Sequence, residues 1–351
     1  MRRILWIGLS LLCALPLAAR ALPQRTFVAS NGADTNPCSL AAPCRSFGTA
    51  VAAVAGGGEV IVLDSAGYGA VTIAQSVSII APPGIYAGVS VFGSAGVTVD
   101  GAGIVVVLRG LSITYQGGSD GIDFVQGTSL HVENCVISGF AAGTGINVIA
   151  AGSRISVLDT IIRDGKNGII LAANLQGIVS RSRVERNSSE GIELLDGAIV
   201  SIEDSVIAGS TWNIDLFPLS FGGLAQVTVA RTLITGGSYG IIAEPSGTFR
   251  YAYVTVTDST ITQAATAGIA ALGPGGSTYV SLVRNQLMGN ATALLADGPA
   301  ATMILDGNAV TDNGVGVNRA NSATINTRGN NTVNSNATET SGTPYTTLGG
   351  V

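Results

Sequence analysis

Apolar positions recur along this chain with two superposed periods. The short period is two: Val106 and Leu108, Leu130 and Val132, Ile155 and Val157, Val227 and Val229, and Val254 and Val256 bracket more polar residues, the alternation of a strand. The long period is about 24 residues. It is carried by a Gly-Ile pair or close variant at Gly121-Ile122, Gly145-Ile146, Gly168-Ile169, Gly191-Ile192, Asn213-Ile214, Gly240-Ile241, Gly268-Ile269, Ala293-Leu294 and Gly316-Val317. An upstream column keeps the same spacing: Ile113, Ile137, Ile162, Val184, Ile207, Ile234, Ile261, Leu287 and Val310. A fixed period of this size marks a solenoid whose turns bury their apolar faces against one another.

Each repeat holds three short strands. Like strands of successive turns then lie parallel, about 4.8 Å apart, around a continuous aliphatic interior. The period is too long for a hexapeptide helix, and Gly-Gly-x-Gly-x-Asp calcium repeats are absent. The expected fold is all-β, a right-handed parallel β-helix of roughly eleven coils. Cys135, Thr160, Ser182, Ser205, Thr232, Ser259, Asn285 and Asn308 form a small or polar column suited to a bend where side chains hydrogen-bond between turns. One position earlier, Asn134, Asp159, Arg181, Asp204, Arg231, Asp258 and Arg284 alternate in charge, which reads as stacked ion pairs.

The ends need caps. Ser46 to Ala55 reads as a short amphipathic helix, with Ser46 as N-cap and Phe47, Val51 and Val54 on one face. The expected division is a leader at 1–21, a cap at 22–58, the β-helix at 59–335 and a flexible tail at 336–351. In the leader, Arg2-Arg3 precede an apolar run from Ile4 to Leu17, and Ala19-Arg20-Ala21 forms a cleavage site, so a secreted or periplasmic product is expected. Cleavage removes three Arg and no acid, leaving 14 basic against 22 acidic side chains, a net charge of −8. Nucleic acid is a poor partner for such a chain. No membrane span is expected after cleavage, and the chain is expected to be monomeric. In an exported protein the close pair Cys38 and Cys44 reads as a disulfide, and Cys135 as a buried free thiol.

The G-I-x-V strand Gly145-Ile146-Asn147-Val148 and the steps Asp159-Thr160-Ile161-Ile162, Asp204-Ser205-Val206-Ile207 and Asp258-Ser259-Thr260-Ile261 resemble the pectate-lyase-like superfamily of parallel β-helix proteins. The front end, Thr26 to Gly32 followed by Pro37-Cys38 and Pro43-Cys44-Arg45-Ser46-Phe47, resembles secreted bacterial members of undefined activity. The resemblance implies a parallel β-helix, a fold on which activity is set by the site rather than the scaffold. It includes pectate and alginate lyases and polygalacturonases, yet the polygalacturonase signatures Asn-Thr-Asp, Asp-Asp, Gly-His-Gly and Arg-Ile-Lys are all missing.

Such enzymes work on the outer face of one sheet. On the Gly-Ile strand the outward column reads Asp123, Asn147, Ile170, Glu193, Asp215, Ile242, Ala270; the column before it reads Asp120, Thr144, Asn167, Glu190, Trp212, Tyr239, Ala267. Glu193 and Asp215 on neighbouring turns should raise one pKa or attract a cation. At about 5 Å they suit a retaining glycosidase, and equally calcium. Asp123, Asn147, Glu190, Trp212 and Tyr239 are the candidate substrate contacts, the aromatics as surfaces for sugar rings. For a lyase, Arg163 and Lys166 are the candidate base and cation, although Arg163 aligns with Glu185, Asp164 with Arg186, and Lys166 lies near Glu190. His131 reads as a strand surface residue. The expected partner is a polysaccharide or cell-surface glycan; the competing class is a non-catalytic adhesion or structural protein.

Overall fold

The computed structural model describes residues 21–172, 174–342 and 346–347. Residues 1–20 of the expected leader, 1–21, lie outside the described residues. Among the described residues, three parallel sheets of 14, 12 and 12 strands are formed, each strand bonded to its counterpart one turn away. We name them A, B and C in the order the chain visits them. One turn runs through Leu224–Ala230 in sheet A, Leu233–Thr235 in B and Tyr239–Ala243 in C, and the next begins at Tyr251–Thr257. The fold is a right-handed parallel β-helix of pectate-lyase-like type. Twelve strands in sheets B and C make about twelve turns, one more than the repeat count suggests. The extra turn is the last, whose sheet C strand Thr338–Gly342 lies in the segment expected as a tail.

The interior follows the sequence columns. From Ile113 through Ile137, Ile162, Val184, Ile207, Ile234, Ile261 and Leu287 to Val310, no side chain is more than 1 % exposed. The recurring glycine has a steric cause: a Cβ at Gly145 would lie 2.7 Å from the Gly168 carbonyl oxygen and 2.6 Å from Ile162 Cγ2. Consecutive turns pass too close there for a side chain.

The bend between sheets A and B is built from the two polar columns. The charged one adopts left-handed backbone, with φ of 49° at Asp159, 51° at Asp204, 49° at Arg231 and 54° at Arg284. Its members pair two by two: Arg181 with Asp159, Arg231 with Asp204 and Arg284 with Asp258, each through two hydrogen bonds of 2.7–2.8 Å. Behind them the small residues form a buried ladder. The backbone N–H of Thr160 donates to Ser182 Oγ, Ser182 to Ser205, Thr232 to Ser259, Ser259 to Asn285 Oδ1, Asn285 to Asn308 and Asn308 to Asn331. Cys135 heads this ladder as a buried free thiol, and burial pushes its pKa up to about 11. A second ladder at the bend between sheets B and C, Asn290 to Asn313 to Asn336, is not apparent in the sequence columns.

At the N-terminal end the helix Phe47–Ala53 covers the first turn, with Ser46 as its cap and Phe47 and Val51 buried. Cys38 and Cys44 are disulfide-bonded beside it. Within the segment expected as a flexible tail, Thr338–Gly342 adds a strand to sheet C against Val315–Ala320, with every side chain exposed. Its backbone continues the ladder although its side chains bury nothing. Among the described residues, no helix is long and apolar enough to cross a membrane.

Candidate functional site

Sheet C places the predicted columns in strict register. Asp123 pairs with Asn147, Asn147 with Ile170, Ile170 with Glu193, Glu193 with Asp215, and Asp215 with Ile242. The preceding column stacks Glu190 on Trp212 and Trp212 on Tyr239. Adjacent rungs of a parallel sheet thereby bring three acids together: carboxylate oxygens of Glu190, Glu193 and Asp215 all lie within 4.8 Å of one another.

These positions face away from the helix interior, yet they are not fully solvated. Asp215 is only 5 % exposed, and its Oδ1 is buried without a hydrogen-bond partner. Burial, reinforced by Glu244, Glu193 and Glu190, pushes its pKa up to about 8. Glu193 is pushed up to about 7, mainly by burial and then by Glu190, with Lys166 pulling it back. Glu244, at the end of the next strand, is also raised by burial. Its field on Asp215 is absent from the column reading because it sits just past the strand's last inward residue, Ala243.

The other candidates divide. Asn147 donates to Asp123 Oδ1 at 3.0 Å, so that pair satisfies itself, and burial leads in raising the Asp123 pKa. It stands three rungs from Glu193, about 14 Å along the axis. Trp212 and Tyr239 are half-buried and pack against an outer apolar cluster of Ile242, Ala267 and Ala270. Arg163 lies in sheet B, not C. It shares a register position with Glu185, but its ion pair, at 3.0 Å, is to neighbouring Asp164. Glu185 is taken by Arg183 and Arg186, and Arg186 also pairs with Asp164 as aligned. Lys166 is exposed in the turn before Asn167–Leu171, close enough to act on Glu193. His131, in sheet A, is 3.0 Å from Ser129 Oγ and takes no part in the cluster.

Two exposed aromatic residues lie in the Asp215 turn and the turn after it. Phe221 follows the Asp215 strand and Phe249 the next strand of sheet C; they are 78 % and 60 % exposed, with ring centroids 5.1 Å apart. Asp196 holds the Phe221 loop by accepting from the backbone N–H groups of Leu219, at 2.8 Å, and Ser220. The sequence signal for this pair is the lengthened connection between sheets C and A in these turns.

Residues 87–213 match the family described as the right-handed β-helix region. Among solved structures, the fold is similar to pectate lyase Pel9A, at 14% identity over 90% of this chain and 80% of that one, with a TM-score of 0.51. It is similar to the Dettilon tailspike protein, at 12% identity over 90% of this chain and 68% of that one, with a TM-score of 0.53. It is also similar to the A-module of the Azotobacter vinelandii mannuronan C-5 epimerase AlgE6, at 14% identity over 84% and 90%, with a TM-score of 0.51. No curated protein matches the sequence. The shared property is the pectate-lyase-like parallel β-helix.

Proposed function

We propose that sheet C recognises an extended glycan, and that Glu193 and Asp215 are the reactive pair of a glycoside hydrolase. The observation that carries this reading is Asp215 Oδ1, buried, unpartnered and beside two other carboxylates. A protein does not keep such a group for stability, because an unsatisfied buried acid is costly. Carboxylate oxygens within 4.8 Å of one another leave no room for the water of an inverting pair and favour a retaining one. Asp215, whose pKa is the higher, holds the proton and gives it to the glycosidic oxygen as the bond breaks. Glu193 attacks the anomeric carbon, and water then releases the sugar with Asp215 as base. Trp212, Tyr239 and the Phe221–Phe249 pair offer apolar faces to sugar rings on these turns.

The donor set also favours calcium as a second reading. It is all oxygen, and Asp215 Oδ1 lacks a partner. Glu190, Glu193 and Asp215 would hold the ion, which would supply positive charge at a substrate carboxylate. Lyase chemistry also needs a base, and Arg163 is engaged by Asp164 on another sheet, which leaves Lys166. The disulfide and the leader sequence support export.

The test is a polysaccharide panel, with and without calcium, followed for new reducing ends and for unsaturated uronate absorbance. Reducing ends without unsaturation, lost in Glu193→Gln, support the hydrolase. Unsaturated product replaces it with the lyase. Absence of both turnover and retention on any glycan overturns the carbohydrate reading in favour of an adhesion or structural protein.

A further inference from the structure

The three acids of sheet C carry information about the ligand as well as the chemistry. Beyond the three acids themselves, the charged groups that act on the cluster are Glu244, on Asp215, and Lys166, on Glu193. The neighbouring arginines are committed elsewhere: Arg163 to Asp164, and Arg183 and Arg186 to Glu185. The face thus gathers four carboxyl groups against one ammonium, on a chain that is itself acidic. A polyuronate laid along sheet C would add further like charge at this point. A neutral glycan would bring no counter-charge and leave the cluster to relieve its repulsion by holding protons. A glycan carrying protonated amines would supply what is lacking: positive charge for the cluster and an N–H donor for Asp215 Oδ1, which has no partner.

The aromatic residues agree. Trp212 stacks one rung above Glu190, and Tyr239 one rung above Trp212. Carboxylates beside an indole form the setting in which ammonium groups are held, by ion pairing on one side and the ring face on the other.

We propose that the ligand of sheet C is an amino-sugar polymer with free amines, one ammonium seated among Glu190, Glu193 and Asp215 and facing Trp212. The proposal rests on the glycan reading above and narrows it to a substrate class. It separates this chain from the pectate and mannuronan that the names of its structural neighbours specify.

The test is calorimetric binding of the full protein to three oligosaccharides of equal length: glucosamine oligomers with free amines, the same oligomers fully N-acetylated, and oligogalacturonate. Each is run with calcium and with a chelator. The acetylated oligomer keeps the backbone and loses only the charge. The expected result is at least about tenfold tighter binding of the free amine, equivalent to about 1.4 kcal/mol, weakened by salt and indifferent to chelation. Glu190→Gln should remove the preference while leaving the melting curve close to wild type, and Trp212→Phe, which keeps an aromatic ring on Ile242, Ala267 and Ala270 and offers a weaker cation–π face, should reduce it. Equal binding of the amine and acetylated forms overturns the proposal and leaves glycan recognition standing. So does calcium-dependent preference for oligogalacturonate. Binding to none of the three, together with silence across the wider panel, overturns both.

Discussion

Glu193 and Asp215 are register partners on adjacent rungs of sheet C, and with Glu190 their carboxylate oxygens converge within 4.8 Å. Parallel stacking makes this unavoidable: any two acids in the same outward column of consecutive turns must meet. The chain could have separated them with one neutral rung, as Ile170 separates Asn147 from Glu193. It instead leaves Asp215 5 % exposed with an unsatisfied oxygen.

A pH dependence of stability follows from Asp215. Its pKa in the folded protein, about 8, lies above the ordinary value of 3.8. A raised acid stabilises the fold where it is protonated in both states, so that contribution is complete below pH about 4 and lost as pH rises through about 8. Glu193 acts in the same direction. Thermal melts should therefore show a lower Tm at pH 9 than at pH 5, and Asp215→Asn should flatten the slope.

If the pair is hydrolytic, its rate should have a narrow bell-shaped pH profile. Glu193 must be ionised, which requires pH above about 7, and Asp215 protonated, which requires pH below about 8. Initial rates across pH 5–10 check this. A plateau from pH 5 to 7 would remove Glu193 from the role of nucleophile.

Calcium, if it binds, binds here. Under the calcium reading the ion raises the Tm at pH 8, and the rise disappears in the Glu193→Gln/Asp215→Asn double variant. Under the ammonium reading, calcium leaves the wild-type Tm unchanged. Differential scanning calorimetry distinguishes the two.

The glycine column and the internal ladder should dominate stability, and the surface ion pairs should not. Gly145→Ala pushes a Cβ to within 2.7 Å of the next turn and should cost about 1–3 kcal/mol. Asn308→Ala strips the Asn285 N–H of its acceptor and the Leu282 carbonyl of its donor, inside the coil, and should cost about 1–3 kcal/mol per unsatisfied group. Arg231→Ala removes an exposed pair and should leave chemical denaturation close to wild type.

The fold was legible because a solenoid writes its contacts into sequence spacing. Residues one period apart touch, so Ile137 and Ile162, or Arg181 and Asp159, can be paired from the chain alone. The meeting of Glu193 and Asp215 was legible for the same reason. The depth of the site was not. Ile242 occupies an outward position yet is 2 % exposed, because Trp212, Tyr239, Leu272 and Leu295 close over the outer face. Partner choice was also hidden: Arg163 aligns with Glu185 but reaches Asp164, a matter of rotamer rather than register. The Asn290–Asn313–Asn336 ladder reads in sequence as ordinary polar turns.

The central claim is that Asp215 is kept for a ligand at the expense of the fold. One variant tests both halves: Asp215→Asn, measured for Tm at pH 8 and for retention on the glycan that wild type binds. The account requires the Tm to rise, because Asn cannot ionise at this buried position, while retention is lost. A fall in Tm would show that the carboxylate is held by partners and serves the structure. Unchanged retention would show that the ligand does not meet it, and either result would contradict the account.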